Sequence, residues 1–442
     1  MLLIVILLLI LLATLDGSFS SLIISLGMYI LGTIIVSIYC KNNRNTSLRL
    51  YNIIFFIYFA LAFVVSLSFS SSNFFLVSDS SRYIESYMNS TSFFFRMEDF
   101  IKCYIGFSDS NLFYNSYINI MSILANKYLD GMTVFSLTLC QTIWGVLSSI
   151  VLFRILVRRF NEKKSFRIAL LFAICSLFLF YSTVIIRDII ICFLYLLAFD
   201  IIDQKFKING LIKLLLIIII TWGIRLYSGI FLITFLAYYF YVKMHNGQYK
   251  KIITFLFVIF LIGVSTSIFS LDIVQQTIDE LNMYSELSNE QSRGGIISKL
   301  QMLPIGISQF AIILYTMFKP LPPFSIYMGV ETFSHFVMST MFLIAGFFWF
   351  VVFYSLCYLL FFKKYIFKIP FERIILLLVC LVFMLANASH PDIRRMLPVF
   401  PILYVQYAEI CKTENITLFS SKISKNLMIF YIVIAFGMLV IM

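Results

Sequence analysis

The stretch LLFAICSLFLFYSTVIIRDIIICFLYLLAFDII, residues 170–202, constrains the fold more than any other part of the chain. It is far longer than the ~20 apolar residues that one membrane-spanning helix needs. Arg187 and Asp188 interrupt it near its middle. Basic segments precede and follow it, and basic residues favour the cytoplasmic side of a membrane. The run is therefore predicted to cross outward, to turn at Arg187 and to return.

Comparable apolar runs recur along the whole chain. The chain is 61% hydrophobic and 12% charged, and its mean hydropathy is +0.98, values that are typical of membrane proteins. We predict an all-α, polytopic integral membrane protein with about 12–14 transmembrane helices. The first run lacks a basic n-region, so it is predicted to pair with the second as a hairpin and not to be a signal peptide. The candidate spans are residues 1–15, 19–40, 50–70, 132–153, 168–186, 188–202, 214–224, 226–242, 252–271, 334–362, 374–388, 396–411 and 427–442.

Lysine and arginine are unevenly distributed among the connecting segments. Of the 33 basic residues, 22 lie with six acidic residues in or beside segments that we predict to face the cytoplasm. These segments are 41–49, 154–167, 205–213, 243–251, 363–373 and 412–425. The net charge of +12 thus divides into about +16 inside and −4 outside. The basic character of the chain indicates membrane topology, and no nucleic-acid partner is predicted.

The chain is predicted to form a single polytopic membrane domain, 1–442, with two large outer loops at 71–131 and 272–333. The second loop contains an apolar run, 302–319, that is bracketed by prolines. A complete crossing there would move the basic residues that follow to the outer side. This run is therefore predicted to lie in the interface or to re-enter the bilayer without spanning it.

Arginine is enriched among the basic residues that are predicted to lie outside. Seven of these 11 residues are arginine, against seven of the 22 inner ones. Membrane topology needs only positive charge, whereas a guanidinium grips phosphate through two parallel hydrogen bonds and stays protonated. The outer arginines are Arg82, Arg96, Arg187, Arg225, Arg293, Arg394 and Arg395. Their enrichment favours a phosphate-binding site.

Arg225 interrupts a second long apolar run, residues 211–243, and Gly223 and Gly229 flank it. Each half of the run is short for a complete crossing, so a broken or re-entrant passage is predicted. A charge at this depth is costly unless it is paired or faces water, and it marks a functional site by default. The alternative topology makes each interrupted run one long helix, with Arg187 and Arg225 in mid-membrane.

Arg394 and Arg395 lie in the stretch HPDIRRMLPVFP. Pro391 suits the first position of a helix, with His390 as its cap and Asp392 in the first turn, where the helix dipole favours an acid. An outward-facing helix N-terminus that carries two arginines would bind an anion. The two later prolines are expected to keep the following span from being a regular helix.

Each of these positions also has a purely structural interpretation. Arg187 and Asp188 could form an interfacial ion pair that ends two helices, and Arg394 and Arg395 could reach lipid headgroups. His335 suits a helix end better than a catalytic role. The tyrosines and phenylalanines of the outer loops suit an interfacial belt better than a sugar platform.

Outward arginines, carboxylates and aromatic rings on a membrane scaffold suit a lipid-linked sugar as substrate. Apolar helices would hold the lipid tail, the arginines would hold a pyrophosphate, and the aromatic rings would stack on sugars. In a glycosyl transfer the pyrophosphate leaves, and arginines neutralise the charge that develops on it. A carboxylate or a histidine would accept the proton of the attacking hydroxyl.

The chain resembles the Wzy-type O-antigen and capsular polysaccharide repeat-unit polymerases, a group of multi-span, lipid-linked glycosyltransferases. The stretches that carry the resemblance are SDSSRYIESY, IIRDIII, GIRLYSG and HPDIRRMLPVFP, together with the length and the two large outer loops. The resemblance implies transfer of a growing glycan from polyprenyl-pyrophosphate to an incoming repeat unit, without a metal, a nucleotide or another cofactor. It also implies the bacterial inner (cytoplasmic) membrane, with the active face toward the periplasm or exterior. The implied partners are the lipid-linked oligosaccharide, the bilayer and a chain-length regulator protein.

Individual roles follow from the resemblance and from the positions of the residues. The residues predicted to bind pyrophosphate are Arg187, Arg225, Arg394 and Arg395. The predicted catalytic base is Asp79, with His390 as the second choice. The residues predicted to bind sugar or to orient the substrate are Arg82, Tyr83, Asp188, Tyr227 and Asp392.

Two other functions stay open. A flippase for lipid-linked oligosaccharides would also place arginines near the bilayer, but it is expected to have matched helical halves and short loops. An O-antigen ligase shares the polymerase architecture and differs in its acceptor. The sequence favours the polymerase over the flippase and hardly separates it from the ligase.

Overall fold

Helices make up nearly all of the computed structural model of the chain. The described residues are 2–67, 78–93, 97–104, 111–204, 208–244, 299–300, 302–304, 306–320, 327, 330, 332–388, 393–414, 419 and 422–441. No β-strand occurs within these ranges, so the prediction of an all-α fold is confirmed for them.

Seventeen α-helices lie in the described ranges, and we number them in chain order. They are α1 (Leu2–Asp16), α2 (Phe19–Tyr39), α3 (Arg44–Ser66), α4 (Ser78–Tyr87), α5 (Met97–Tyr104), α6 (Leu112–Tyr128), α7 (Val134–Val157), α8 (Glu162–Cys175), α9 (Leu177–Ser182), α10 (Asp188–Ile202), α11 (Ile208–Ile224), α12 (Leu226–Met244), α13 (Ile307–Thr316), α14 (Phe333–Cys357), α15 (Phe371–Asn387), α16 (Phe400–Thr413) and α17 (Lys422–Ile441). A π-helical turn, Tyr358–Phe362, extends α14, and a 3₁₀ segment, Ile393–Val399, precedes α16.

Within the described residues, four helical segments are long and apolar enough to cross a membrane, judged by length and composition. They are α2, α3 with the turn before it, α7, and α14 with its π-helical extension. These segments are characteristic of a helical membrane protein. The candidate span 252–271 lies outside the described residues, and the other predicted spans contain shorter helices. The predicted total of about 12–14 transmembrane helices and the outward direction of the loops stay predictions.

α7 is the central helix of the bundle. Nearly all of its residues are buried, on every side of the helix, and it packs against α2, α3, α8 and α10. A helix that is apolar all round belongs in the interior of a membrane protein or a large core. α1, α2 and α11 instead expose many Leu and Ile side chains on one side, as helices that face lipid do.

An ion-pair network joins five helices at one end of the bundle, which we call the basic end. Arg158, which follows α7, bridges Asp200 and Asp203 at the end of α10, with both N–O distances 2.7 Å. Arg159 pairs with Asp203 and with Glu409 of α16. The hydroxyl of Tyr39 on α2 donates to Asp200, and Arg373 of α15 pairs with Glu409, so these two helices also belong to the network. These basic residues, which the sequence marks as topology signals, therefore also fasten helices together.

The other end of α7 meets the turn between α1 and α2. Asp130 accepts hydrogen bonds from the backbone N–H groups of Phe19 (2.6 Å) and Ser20 (2.7 Å) at the start of α2. Asp16 accepts a hydrogen bond from Oγ1 of Thr133, the residue that caps α7, at 2.8 Å. A carboxylate is favourable at a helix N-terminus. The predicted α1–α2 hairpin is present, and these contacts hold it against α7.

The predicted first outer loop, 71–131, contains three helices in its described part: α4, α5 and α6. α6 runs antiparallel to the first half of α7. Tyr117 Oη donates to Cys140 O at 2.7 Å, and Asn126 Oδ1 accepts from Met132 N at 2.7 Å. α6 therefore lies against a membrane helix and does not project away from the bundle.

The apolar run of the predicted second outer loop forms α13. This helix has 10 residues and is about 15 Å long, half of the ~30 Å of hydrocarbon in a bilayer. Ile312 and Ile313 are buried, and Tyr354 Oη of α14 donates to Leu314 O at 2.9 Å. α13 thus packs against the bundle and is too short to span a membrane.

Candidate anion-binding site

The predicted turn at Arg187 is present between α9 and α10. α7 supplies hydrogen bonds to the carbonyl groups that the break leaves without helical partners. Thr142 Oγ1 donates to Ser182 O at 3.0 Å, and Gln141 Nε2 donates to Ile186 O. Non-helical backbone is tolerated inside a membrane protein when other groups bind it in this way.

Arg225 separates α11 from α12, which fold into a tight hairpin. A Cβ atom at Gly229 would lie 2.5 Å from Cα of Trp222. In a straight helix two residues seven positions apart are about 10 Å apart. The break predicted at Arg225 is therefore confirmed, and the alternative of one long helix is wrong. Only glycine allows the two helices to approach this closely.

α5 packs on this hairpin next to the break. Tyr104 Oη donates to Ile219 O at 2.7 Å, and Trp222 Nε1 donates to Cys103 O at 3.2 Å. The rings of Tyr104 and Trp222 also stack, with their centroids 6.3 Å apart. The segment predicted as the first outer loop therefore reaches the Arg225 break.

Arg225 and Asp188 form a buried ion pair that joins the two breaks. The distance between Nη1 and Oδ1 is 2.6 Å, and the two side chains are 12% and 2% exposed. Asp188 is the first residue of α10, where the helix dipole also favours a carboxylate. Arg187 Nη1 donates to Ile224 O at 3.2 Å. The two broken helices are thus fastened to each other by polar contacts.

A third arginine lies beside this pair. The 3₁₀ segment that contains Arg394 packs against α10, and Arg394 is half-buried. Burial disfavours the charge on Asp188, and three arginines offset that penalty. The attraction of Arg225 is the largest, followed by those of Arg394 and Arg187. Three of the four predicted pyrophosphate ligands therefore act on one carboxylate, and Arg225 pairs with it directly.

The α-helix predicted to carry Arg394 and Arg395 is a 3₁₀ segment instead, so that prediction is wrong. Pro398 lacks an N–H group, and its ring would clash with the carbonyl group of Arg394 in an α-helix. The α-helix begins only at Phe400, with Pro401 in its first turn. A proline is harmless there, so α16 itself is regular, whereas Pro398 keeps the first part of the predicted span 396–411 out of the α-helix, as expected.

α4 brings the segment of the predicted base to the same place. Ser80 Oγ donates to Ile185 O at 3.1 Å, two residues before Arg187. The ring of Tyr83 meets the ring of Tyr114 on α6 edge to face, with the centroids 4.9 Å apart. The α4 segment therefore lies next to the turn that precedes Arg187, which is the position that its predicted contribution to the site requires.

The remaining predicted site residues keep their roles as predictions. Asp79 and Arg82 lie on α4, whose backbone the structure describes, but their side chains lie outside the described part. His390 and Asp392 lie outside the described residues altogether. Tyr227, in the first turn of α12, is half-buried.

The site lies well inside the bundle. We define the arginine cluster as Arg187, Asp188, Arg225 and Arg394. Gln141, which holds the turn before the cluster, is eight residues from Thr133 at the end of α7, about 12 Å along the helix. Asp188 is twelve residues from Asp200 at the basic end, about 18 Å. Both helices therefore place the cluster between the two ends of the bundle.

The arginine cluster has the charge and the donors of an anion site. Three guanidinium groups and one carboxylate leave a net charge of +2, and each guanidinium offers donors in a fixed planar arrangement that matches phosphate or carboxylate oxygens. The short α10 and the hairpin of α11 and α12 surround these charges with apolar helices. Such surroundings strengthen electrostatic attraction to an anion.

The sequence did not reveal two polar residues that the structure places here. Gln141 supports the turn before Arg187 from within α7, and Tyr114 of α6 lies close enough to interact electrostatically with Asp188 and Arg187. The sequence does offer a clue for Gln141, because a side-chain amide within an apolar membrane helix needs a hydrogen-bond partner. It offers none for Tyr114, because tyrosine is frequent throughout this chain.

No protein-family model, no curated protein and no solved structure matches this chain.

Proposed function

We propose that this chain is a membrane glycosyltransferase that polymerises lipid-linked oligosaccharide repeat units. It transfers the growing glycan from polyprenyl-pyrophosphate to the sugar of an incoming repeat unit, at the outer face of a bacterial inner membrane. The observation that carries the proposal is the arginine cluster, a net +2 charge at two helix breaks within an apolar bundle. A chain-length regulator protein is a further proposed partner.

The net charge of the cluster fits the proposed donor. A glycan joined to polyprenol through pyrophosphate is a pyrophosphate diester, which carries two negative charges. The recessed position of the cluster favours a ligand that is itself anchored in the membrane, because a lipid tail among apolar helices keeps the charged group nearby. Arginine keeps its proton in such surroundings, whereas lysine can lose it.

The proposed reaction breaks the bond between the anomeric carbon of the glycan and the pyrophosphate oxygen. The hydroxyl of the incoming sugar attacks the anomeric carbon, its proton passes to a base, and the electron pair of the broken bond stays on the pyrophosphate. Arg187, Arg225 and Arg394 stabilise the charge that develops there. Asp188 is a positioning residue in this scheme, because Arg225 already engages its carboxylate.

Asp79 is the proposed base, with His390 as the second choice. The hydrogen bond from Ser80 to the carbonyl group of Ile185 holds the adjacent α4 backbone next to the cluster, which supports this choice. A base must come within hydrogen-bond reach of the proton that it accepts. Asp79→Asn should therefore abolish polymer formation more completely than His390→Gln.

A deletion strain separates the proposed function from its two alternatives. We expect its surface glycan to carry one repeat unit and no long chains on an electrophoretic ladder. Loss of all surface glycan would point to a flippase, and complete polymer that remains on its lipid carrier would point to a ligase. Either of these two results would contradict the proposal.

Arg225→Lys tests the use of the guanidinium group in the same strain. Lysine keeps the charge but cannot form two parallel hydrogen bonds to an oxyanion. We expect membrane insertion to persist and most long chains to disappear. The matched control is Arg44→Lys, at an exposed position at the start of α3, which should keep a normal ladder. A normal ladder from Arg225→Lys would contradict pyrophosphate binding by this residue.

A further inference from the structure

Tyr114 occupies an unusual position beside the arginine cluster. It lies on α6 and is fully buried, with a relative exposure of 0%. Its ring packs against the ring of Tyr83, and its hydroxyl lies within electrostatic reach of Asp188 and Arg187. α6 itself is fixed against α7 by the hydrogen bond from Tyr117 to the carbonyl group of Cys140, so Tyr114 is held on a rigid element.

The hydroxyl of Tyr114 has no hydrogen-bond partner in the described structure. Other buried tyrosines of the bundle bind backbone carbonyl groups, for example Tyr58 with Ala173 and Tyr195 with Ser228, each at 2.8 Å. Buried tyrosine hydroxyls usually have such a partner, because burying one without it is costly. A buried donor left unpaired within electrostatic reach of Arg187 points to a ligand as its partner.

A second unpaired polar atom is associated with the same turn. Gln141 is also fully buried and gives its Nε2 group to the turn before Arg187, while its Oε1 has no partner in the described structure. Buried groups without partners are rare in native proteins, and those that exist call for an explanation. Gln141 holds the turn before Arg187, and Tyr114 lies within electrostatic reach of Arg187, so these two unpaired atoms strengthen the assignment of a ligand site here.

We propose that Tyr114 is a ligand-contacting residue, and that its hydroxyl donates a hydrogen bond to a phosphate oxygen of the anion held by the arginine cluster. This inference rests on the proposed function, since it concerns the anion of the same site. The hydroxyl is the appropriate donor, because phosphate oxygens only accept hydrogen bonds and every arginine nearby only donates them. Its ring makes the same contacts with or without the hydroxyl, so Tyr114→Phe removes this one donor.

The test uses the full chain, purified and reconstituted in lipid nanodiscs. The probes are geranylgeranyl diphosphate and inorganic pyrophosphate, which carry the same anionic group with and without a lipid tail. The dissociation constant comes from calorimetric titration, and the melting temperature without ligand comes from intrinsic fluorescence. We expect Tyr114→Phe to bind geranylgeranyl diphosphate about tenfold more weakly, which is typical for loss of one hydrogen bond to a charged group.

The matched control is Tyr431→Phe on α17. The hydroxyl of Tyr431 is likewise unpaired in the described structure, and its ring packs against Phe347 and Phe350, in a separate cluster. Removing an unpaired buried hydroxyl should leave the melting temperature unchanged or raise it in both variants. Only Tyr114→Phe should weaken binding, and this difference would not arise if both hydroxyls had purely structural roles.

The possible outcomes separate the inference from the proposed function. Unchanged binding by Tyr114→Phe, with normal binding by the wild type, would overturn the role of Tyr114 and leave the proposed function intact. A lower melting temperature of Tyr114→Phe without ligand would also overturn it, because the hydroxyl would then have a structural partner. A wild-type protein that binds neither probe would overturn the proposed function and the inference with it. Tighter binding of the lipid diphosphate than of free pyrophosphate identifies a lipid-borne anion as the ligand, and the reverse order identifies a soluble one.

Discussion

Asp188→Asn should reveal how strongly the ion pair stabilises the two broken helices. The paired atoms of Asp188 and Arg225 are 2.6 Å apart, and the side chains are 2% and 12% exposed. Removing one partner of a buried pair costs about 3–5 kcal/mol, because the other charge stays desolvated. Here the variant also raises the net charge of the cluster from +2 to +3. We therefore expect a loss of unfolding free energy near the upper end of that range.

The assay is a double-mutant cycle on the purified chain in mild detergent. The free energy of unfolding would be measured for wild type, Asp188→Asn, Arg225→Gln and the double variant. Since the double variant removes both charges of the pair and keeps the net charge of the cluster at +2, it should lose less stability than the two single variants together, with a coupling energy above about 1 kcal/mol. The control is Glu414→Gln, which breaks an exposed pair with Lys368 at 3.4 Å and should cost less than about 1 kcal/mol.

Two results would refute the reasoning about the ion pair. Costs of the single variants below about 1 kcal/mol would match exposed pairs and show that the charges are well solvated. Strict additivity in the double variant would show that Asp188 and Arg225 act independently. Added pyrophosphate provides a further check, because an anion bound in the cluster should restore much of the stability that Asp188→Asn loses.

Gly229→Ala should lower the unfolding free energy by about 1–3 kcal/mol, since its new methyl group would meet backbone 2.5 Å away. The control is Gly27→Ala, at an open position in α2, which should be neutral or stabilising by up to about 1 kcal/mol. If both variants changed the unfolding free energy equally, the close approach of α11 and α12 at Gly229 would be contradicted. Burial acts to raise the pKa of Asp130, but hydrogen bonds from the α2 backbone outweigh it and hold that pKa below its usual value. The stabilisation is therefore present above the unfolded pKa of about 3.9 and is lost as the pH falls through the folded pKa. The melting temperatures of wild type and Asp130→Asn should differ at pH 7 and converge as the pH falls through the folded pKa, and a difference that stays constant down to acid pH would contradict this reasoning.

The positions of the two helix breaks could be predicted because membranes constrain length and charge strongly. An apolar run that is one and a half spans long and has an arginine at its centre can cross a membrane in few ways. Basic segments on both sides of each run favour a topology that turns at Arg187 and at Arg225. The same one-dimensional reasoning placed Asp188 next to Arg187. It could not show that Asp188 pairs with Arg225, because a contact between two separate breaks depends on packing.

Local irregularities were harder to predict from the sequence. Pro391 predicts a helix start before Arg394, whereas Pro398 controls the segment, because its ring excludes an α-helix at the residue four positions earlier. The loop at 71–131 is predicted to be external because the basic segments on either side of the neighbouring spans favour the cytoplasmic side. Its helices pack on the bundle through contacts such as that of Tyr117 with Cys140, and no local pattern indicates such long-range hydrogen bonds.

The length of α10 explains why the site is made of arginine. Asp188 and Asp200 are about 18 Å apart along this helix. If the helix is tilted, their separation along the membrane normal is smaller still. The hydrocarbon of a bilayer is ~30 Å thick, so one of the two charged groups must lie below the headgroups unless the bilayer thins locally. The basic end carries the residues that set topology and belongs at an interface. In a ~30 Å hydrocarbon layer the arginine cluster would then be the submerged group, about 12 Å below the headgroups. A lysine at this depth would tend to lose its proton and with it the attraction for an anion, whereas arginine remains charged.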